Sequence, residues 1–249
     1  MKVSLISYSQ GPIDPNHDQV LDKSDPSTLS TLEDMVAYCA RVSNPANQQN
    51  TATNQKLLAY LAKHQHWSPF EMVSICLEIE TTRDIARQIL RHRSFSFQEF
   101  SQRYANAFDF STKKNDGENT IFETREARLQ DHKNRQNSVT LSNETPEDIC
   151  LANSWTLRQN QVADVAQEAY EWAIENGIAK EQARAVLPEG MTPSRLYMNG
   201  TLRSWIHYIQ LRSANGTQKE HQEVAIACAH AIAEVYPLIM EYVVQEQEK

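Results

Sequence analysis

Glycine is scarce in this chain of 249 residues. The six glycines, no two of them close together, are Gly11, Gly117, Gly177, Gly190, Gly200 and Gly216. Loops that cradle the phosphates of a nucleotide need clustered glycines, because backbone N–H groups must approach the anion closely. Neither a GxGxxG run nor a GxxxxGK run followed by Ser or Thr is present. Any bound nucleotide must therefore be held by side chains.

Cysteine is also sparse, since the chain has four, at Cys39, Cys76, Cys150 and Cys228. Their spacing matches neither a CxxC metal pair nor a disulfide framework. We expect each of them to be a small buried apolar side chain. The sequence thus gives no sign of a metal centre or of a protein stabilised by disulfides.

Long apolar runs and an excess of basic charge are missing as well. The longest apolar stretches, residues 224–228 and 236–240, fall far short of the roughly 18 to 20 residues that cross a bilayer. The first residues lack a basic region followed by an apolar core, so we expect a cytoplasmic protein without a membrane partner. A net charge of -8 argues against a nucleic-acid partner, whose binding surface is normally basic. An anionic ligand would need a local cluster of arginines.

Apolar periodicity predicts an α+β fold with helix in excess, in one large domain or two small ones. Strict alternation in residues 71–80 puts Val73, Ile75, Leu77 and Ile79 on one face of a strand. Residues 109–150 are strongly polar, and we interpret them as a long, partly mobile insertion. Thr31 with Asp34 resembles an N-cap pair at the beginning of the first helix. A further strand is predicted at 2–8, and helices at 32–42, 55–64, 84–93, 155–176, 180–187, 201–212 and 222–236.

The densest group of chemically active side chains lies in residues 91–104. It holds three arginines, a histidine, three serines and a carboxylate, interleaved with aromatic rings. Guanidinium groups bind phosphate through two parallel hydrogen bonds, and aromatic rings pack on planar heterocycles. On composition alone, a solvated basic helix end is the favoured explanation of the segment.

The order of residues in this segment resembles the signature of the flavin-dependent thymidylate synthases. Arg91-His92-Arg93 is followed after seven residues by Ser101-Gln102-Arg103-Tyr104. Upstream, residues 66–71 (HWSPFE) resemble the family's His-x-Ser/Thr-Pro-Phe-Glu segment, and downstream, residues 199–212 resemble its Arg-Ser…Leu-Arg helix. The sequence departs from the commonest pattern at Ser94 and Gln98, where many members have an apolar residue and Asn.

The resemblance implies an activity and an architecture. Enzymes of this family make thymidylate from dUMP, with 5,10-methylenetetrahydrofolate as the one-carbon donor and NADPH-reduced FAD as the source of hydride. It also implies one catalytic domain over residues 1–249, built from a mixed sheet flanked by long helices and carrying the 109–150 insertion. The family further implies a homotetramer with active sites shared between subunits.

The resemblance also implies binding residues. FAD contacts are expected at His66, Ser68, Arg91, His92, Arg93, Glu99, Thr201, Leu202, Arg203 and His207. Contacts to dUMP are expected at Gln88, Ile89, Leu90, Arg91, Glu99, Phe100, Ser101, Gln102, Arg103, Arg184 and Arg212.

Arg212 is the predicted catalytic residue. In the family, the matching arginine meets the edge of uracil, where its charge favours ionisation at N3 and directs electron density to C5. On one helix, Arg203 and His207 share a face, whereas Arg212 lies about 140° around from His207. One helix would therefore meet two ligands.

Parts of the sequence are also compatible with two other functions. The first is a non-catalytic nucleotide- or RNA-binding protein that uses residues 91–103. The second is a metal-dependent hydrolase built on His64, His66 and His92, although no carboxylate at a supporting spacing completes such a site, so no metal ligand is predicted. The thiolate mechanism of the unrelated classical thymidylate synthases is disfavoured, because none of the four cysteines has an electropositive setting.

Overall fold

The computed structural model describes residues 1–11, 29–110, 121–142 and 144–244. A four-stranded sheet lies at its centre, and a separate two-stranded hairpin follows it in the chain. The α+β class is confirmed, but the sheet is not mixed, since every strand pair in the described ranges is antiparallel. In spatial order the central strands are β1 (Lys2–Tyr8), β2 (Ser74–Thr82), β6 (Pro193–Thr201) and β3 (Ser96–Glu99), and the hairpin is β4 (Arg128–Gln130) and β5 (Ser138–Thr140).

Strand β2 buries the face that its alternation predicts, because Ile75, Leu77 and Ile79 are fully buried. The strand begins later than predicted, since residues Ser68–Glu71 form a short 3-10 helix. Pro69 favours this turn because its ring fixes φ near the helical value. Sequence reasoning missed β3 and β6 altogether. Strand β6 begins at a proline, and its hydrogen-bonding partners lie far away in the sequence.

The helices agree with prediction in number and differ at their ends. Helix α1 begins with the predicted pair, as Asp34 N donates to Thr31 Oγ1 over 3.1 Å and Thr31 N donates to Asp34 Oδ2 over 3.2 Å. No helix in the described residues is long and apolar enough to cross a bilayer. The seven helices of the described chain are α1 (Leu32–Ala40), α2 (Asn54–Lys63), α3 (Arg83–Ile89), α4 (Pro146–Glu175), α5 (Lys180–Ala183), α6 (Leu202–Arg212) and α7 (Lys219–Ala233).

Helices α6 and α7 cover the sheet and build the main core with it. Trp205 of α6 is fully buried, and its Nε1 donates to the carbonyl oxygen of Ile75 over 3.0 Å. Cys228 of α7 is fully buried, as expected, and burial raises the pKa of its thiol. The expectation for Cys150 is wrong, because it lies exposed in the first turns of α4, where the helix faces solvent.

The predicted insertion is shorter and better anchored than the sequence indicates. Helix α4 begins at Pro146, directly after the N-cap Thr145, so the last residues of the polar segment belong to this helix. Residues 111–120 lie outside the described residues, but residues 121–142 contact the rest of the chain. Arg125 Nη2 donates to Asp84 Oδ1 over 2.7 Å, and Lys219 Nζ donates to Glu126 Oε1 over 2.6 Å. The segment is therefore attached to the beginnings of both α3 and α7.

Candidate active site

The C-terminal end of α6 meets the turn that follows α3. There the Nε of Arg212 donates a hydrogen bond of 2.9 Å to the Nε2 of His92. The ring of His92 also lies edge-on to Tyr208, with the ring centroids 4.9 Å apart. The structure thus joins the histidine of the Arg-His-Arg motif to the predicted catalytic arginine.

A second histidine, His221 of α7, lies beside this pair. Its Nδ1 is 3.2 Å from the Oε1 of Gln88, and its Nε2 is 3.2 Å from the hydroxyl of Tyr208. Gln88 also donates from Nε2 to the Oε1 of Gln218 over 2.8 Å. Gln88, a predicted dUMP contact, is therefore held from two sides.

Both histidines are neutral at physiological pH. Burial and the adjacent charge of Arg212 lower the pKa of His92 to about 4. Burial, Arg212 and His92 lower the pKa of His221 to about 3. No carboxylate of the described residues forms an ion pair with Arg212. The neutral ring of His92 therefore positions the guanidinium group of Arg212, and no described carboxylate neutralises its positive charge.

Glu99, a predicted contact of both FAD and dUMP, lies among polar groups at the end of β3. Arg83 Nη1 and Arg87 Nη1 each lie 3.9 Å from one of its carboxylate oxygens, and the hydroxyl of Ser194 donates to Oε1 over 3.0 Å. The spacing of Arg83, Arg87 and Arg91, one every four residues, predicts a single basic stripe along a helix. Instead, Arg83 is buried against Glu99, and α3 ends at Ile89, so Arg91 lies beyond the helix in an exposed turn.

Arg203 and His207 lie on one side of α6, as the helical spacing predicts. Arg203 forms an ion pair with Glu71, and the ring of His207 packs edge-on against Trp67 with centroids 4.8 Å apart. Burial and the charge of Arg203 lower the pKa of His207. Arg212 instead points to His92, so the two ends of α6 contact two separate groups of side chains.

His66 follows α2 in a turn of unusual geometry. Gln65 has φ of 59°, a left-handed value that glycine usually adopts at a helix end. His66 N donates to the carbonyl oxygen of Leu61 over 2.8 Å, and Gln65 N donates to that of Ala62 over 3.1 Å. These two bonds form a Schellman motif, which directs the chain away from the helix at His66. His66 itself is exposed.

Two of the predicted contact residues have no side chain to offer a ligand. Ile89 and Leu202 are fully buried in the core, so any contact they make comes from the backbone. The side chain of Thr201 already has a structural role, because its Oγ1 accepts a hydrogen bond of 3.3 Å from Ser204 N and caps α6. By contrast, Arg93 and Ser68 are exposed.

The predicted phosphate-binding arginines Arg103 and Arg184 meet at Glu181. Arg103 Nε donates to the carboxylate over 3.3 Å, and Arg184 Nε donates to the backbone oxygen over 3.3 Å. In the same segment, Ser101 Oγ accepts from Arg103 N over 3.4 Å, and the buried Gln102 has an Nε2 without a hydrogen-bond partner in the described residues. Leu90 and Phe100, the remaining predicted dUMP contacts of these segments, are half-buried.

The metal-dependent alternative gains no support from this arrangement. His64 and His66 have ring centroids 6.2 Å apart, but the ring of His92 lies against Tyr208 and His221 instead. Within residues 1–11, 29–110, 121–142 and 144–244, no three His, Cys, Asp or Glu side chains are grouped to hold a metal ion.

The sequence matches a known protein family over most of its length. The model of the family described as "Thymidylate synthase complementing protein" matches residues 27–238. The chain is 47% identical, over 214 residues, to a probable flavin-dependent thymidylate synthase of Paramecium bursaria Chlorella virus 1. The match covers 85% of this chain and 90% of that protein. The chain belongs to the flavin-dependent thymidylate synthase family. The nucleic-acid-binding alternative finds no support in these matches.

Other members of the flavin-dependent thymidylate synthase family agree with this assignment. The enzyme of Synechocystis is 47% identical over 209 residues, covering 83% of this chain and 87% of that protein. Among solved structures, a UMP/dUMP methylase, PolB of Streptomyces cacaoi, bound with 5-Br dUMP, has the same fold. It superposes with a TM-score of 0.71 at 24% identity, over 97% of this chain and 93% of that one.

Several residues of this candidate site had no signal in the sequence. His221 and Gln218 lie 120 residues or more after the Arg-His-Arg motif, in and just before an amphipathic helix, and nothing in their spacing marks them. Arg83 and Ser194 were likewise not predicted to contact Glu99. A buried histidine needs hydrogen-bond partners, and this would identify His221 as a residue of interest. Its burial, however, cannot be predicted from the sequence.

Proposed function

We propose that this protein converts dUMP into dTMP, with 5,10-methylenetetrahydrofolate as the one-carbon donor, NADPH as the reductant and FAD as the resident cofactor. The observation that carries the proposal is the contact of Arg212 with the neutral His92, in a chain that belongs to the flavin-dependent thymidylate synthase family. The cytoplasmic location expected from the sequence stays a prediction.

Arg212 is suited to activate the uracil ring. Its Nε is committed to His92, so the two terminal nitrogens of the guanidinium group are the donors left for a ligand. Because a neutral group positions it, the full positive charge acts on the bound base. Such a charge next to a uracil carbonyl favours the anion at N3 and makes C5 more nucleophilic.

The exposed donors around the first turn of α6 fit a flavin dinucleotide. Arg91 and Arg93 are exposed guanidinium groups suited to a diphosphate, and His66 and Ser68, of the segment 66–71, are exposed as well. His207, packed on Trp67, offers a neutral imidazole edge for the polar atoms of a planar ring. When bound, the flavin would supply the hydride that completes the methyl group.

Assembly into a homotetramer with shared sites is part of the proposal, and α4 is the surface that supports it. Steps of four, seven, three and seven residues along this helix place five large apolar side chains on one exposed stripe. The spacing is that of helices that pair along their length, and exposed apolar surface of this extent marks an interface. The stripe consists of Leu151, Trp155, Val162, Val165 and Trp172.

The visible spectrum of the purified protein tests the proposal. We expect a flavin spectrum, directly or after reconstitution with FAD, that NADPH bleaches under anaerobic conditions. Addition of dUMP and methylenetetrahydrofolate to the reduced protein should then give dTMP. A protein that binds no FAD after reconstitution contradicts the proposal, and salt-sensitive binding of nucleic acid by a colourless protein would favour the non-catalytic alternative.

A further inference from the structure

A line of hydrogen bonds joins the insertion to Gln88. Arg128, on β4 of the insertion, forms a hydrogen-bonded ion pair with the Oε1 of Glu220 at the beginning of α7. The other carboxylate oxygen of Glu220 accepts from the Nε2 of Gln218 over 2.9 Å. Gln218 Oε1 in turn accepts from the Nε2 of Gln88 over 2.8 Å. From Gln88 the line continues through His221 to Tyr208.

The charge of Glu220 decides the direction of every bond in this line. A carboxylate only accepts hydrogen bonds, so Gln218 must turn its NH2 group to Glu220 and its carbonyl oxygen to Gln88. Gln88 must then turn its NH2 group to Gln218 and its Oε1 to His221. His221 consequently carries its proton on Nδ1, and its Nε2 accepts from the hydroxyl of Tyr208.

The groups in the line have the protonation states that this order requires. Burial acts to raise the pKa of Glu220, but hydrogen bonds from Arg128, the backbone and Gln218 outweigh it, and the pKa lies below its ordinary value. Burial raises the pKa of Tyr208, which therefore keeps its proton as a donor. His221 is neutral and so both donates and accepts.

We propose that Glu220, acting through Gln218, determines which way round the amide of Gln88 lies, and so which donor and acceptor Gln88 presents to the nucleotide. Arg128 gives the insertion a role, since it holds Glu220 in place. Glu220, Gln218 and Arg128 are thus positioning residues. The inference rests on the proposed function, because it takes Gln88 as a nucleotide contact. With two bonds made, Gln88 keeps one N–H and one lone pair for a ligand.

The substitution Glu220→Gln tests this inference because it changes charge without changing shape. Its amide oxygen stays with Arg128, which only donates, so its NH2 group faces Gln218. Gln218 and Gln88 must then turn over, and the proton of His221 moves from Nδ1 to Nε2. In holoenzyme labelled with ¹⁵N-histidine, NMR should show this change of tautomer. Calorimetry should show dUMP binding weakened by about tenfold, the effect of one lost hydrogen bond.

Two further variants separate positioning from folding. Glu126→Gln removes a carboxylate from the same surface, where Glu126 pairs with Arg128 and Lys219 but not with Gln218. We expect its dUMP affinity to stay within about twofold of wild type, as is usual for an exposed pair. Gln218→Met interrupts the line with a side chain of similar length, and it should weaken dUMP binding while FAD content and melting temperature stay close to wild type.

The outcomes are distinct. An unchanged His221 tautomer in Glu220→Gln, or dUMP affinity equal to wild type in both Glu220→Gln and Gln218→Met, overturns the inference. Equal weakening by Glu126→Gln also overturns it, because the effect would then belong to the surface as a whole. If wild-type holoenzyme binds no dUMP at all, the proposed function fails. The NMR measurement of the His221 tautomer would still show whether Glu220 sets the direction of the hydrogen bonds.

Discussion

Arg212 and His92 lie 120 positions apart in the chain, yet the Nε of one donates to the Nε2 of the other over 2.9 Å. The bond requires a neutral imidazole with its proton on Nδ1, because only an unprotonated Nε2 can accept. A charged group and the histidine of the Arg-His-Arg motif are therefore coupled, and a change at either residue alters the other.

Arg212→Lys tests whether the position of the charge matters as well as its sign. Lysine keeps the charge but lacks the planar fork and the Nε bond to His92. We expect dTMP formation to fall by roughly 10²- to 10³-fold, as when a positioned transition-state donor is lost, with FAD content unchanged. Arg135→Lys, at an exposed arginine of the hairpin, is the control and should retain full turnover. Full turnover in Arg212→Lys would contradict the assigned role.

Stability should depend on pH through His92 and His221. Their pKa values in the folded protein, about 4 and about 3, lie below the value of about 6.5 in an unfolded chain. Below pH 6.5 the unfolded state therefore binds protons that the folded state does not, and the free energy of unfolding falls as the pH is lowered. Urea denaturation of the flavin-free protein between pH 7.5 and pH 5 measures this loss.

A matched pair of variants identifies the histidines responsible. His221→Gln should make the pH dependence above pH 5 less steep and leave the part due to His92, whereas His230→Gln, at an exposed position of α7, should leave the full dependence. If His221→Gln loses stability with falling pH as steeply as wild type, then His221 does not contribute to this dependence.

Gly200 is required by the close approach of β6 to an aromatic ring. A Cβ atom at this position would lie 2.3 Å from a ring carbon of Phe95, which packs against Trp205 in the core. We expect Gly200→Ala to lower the free energy of unfolding by about 1 to 3 kcal/mol, as overpacking does. Gly190→Ala is the control, since nothing lies within 4 Å of its Cβ position. Equal stability of the two variants in urea would refute the steric explanation.

Gln65 carries a conformational cost that glycine would avoid. Its φ of 59° is strained for a residue with a Cβ atom. Gln65→Gly should therefore raise the free energy of unfolding by about 1 kcal/mol, measured by thermal or chemical denaturation. Gln167→Gly, within α4, should lower it by about the same amount, because glycine is unfavourable in a helix interior. A Gln65→Gly protein less stable than wild type would show that the strain is absent.

The exposed stripe of α4 predicts how assembly can be disrupted. Val165→Asp puts a charge on the stripe, where Val165 is 67% exposed in the single chain. We expect a smaller assembly by light scattering and a loss of dTMP formation, since the proposed sites are shared between subunits. Asn160→Asp adds the same charge on the opposite side of α4 and should keep the wild-type size. A Val165→Asp protein of wild-type mass would remove α4 from the proposed interface.

Local patterns in the sequence predicted the parts of this fold that depend on local physics. The alternation in β2, the Thr31–Asp34 cap and the division of α6 between Arg203 and Arg212 were all confirmed. Each follows from the repeat of a strand or a helix, which neighbouring residues determine.

Features that depend on distant partners were missed. Strand β6 has weak alternation, and its pairing with β2 and β3 provides its hydrogen bonds. The motif led to Arg212 and His92, but His221 and Gln218 come into contact with Gln88 only through the packing of α7. No periodicity contains such information, because the contacts join elements that are far apart in the chain.

The position of β6 in the sheet has a consequence for synthesis on the ribosome. In space β6 separates β2 from β3, yet β2 ends at Thr82 and β3 at Glu99, whereas β6 begins at Pro193. Until β6 leaves the ribosome, the facing edges of β2 and β3 have no partner, and unpaired edges promote aggregation. Most of the chain must therefore be made before the sheet can close, and molecular chaperones have a long interval in which to protect it.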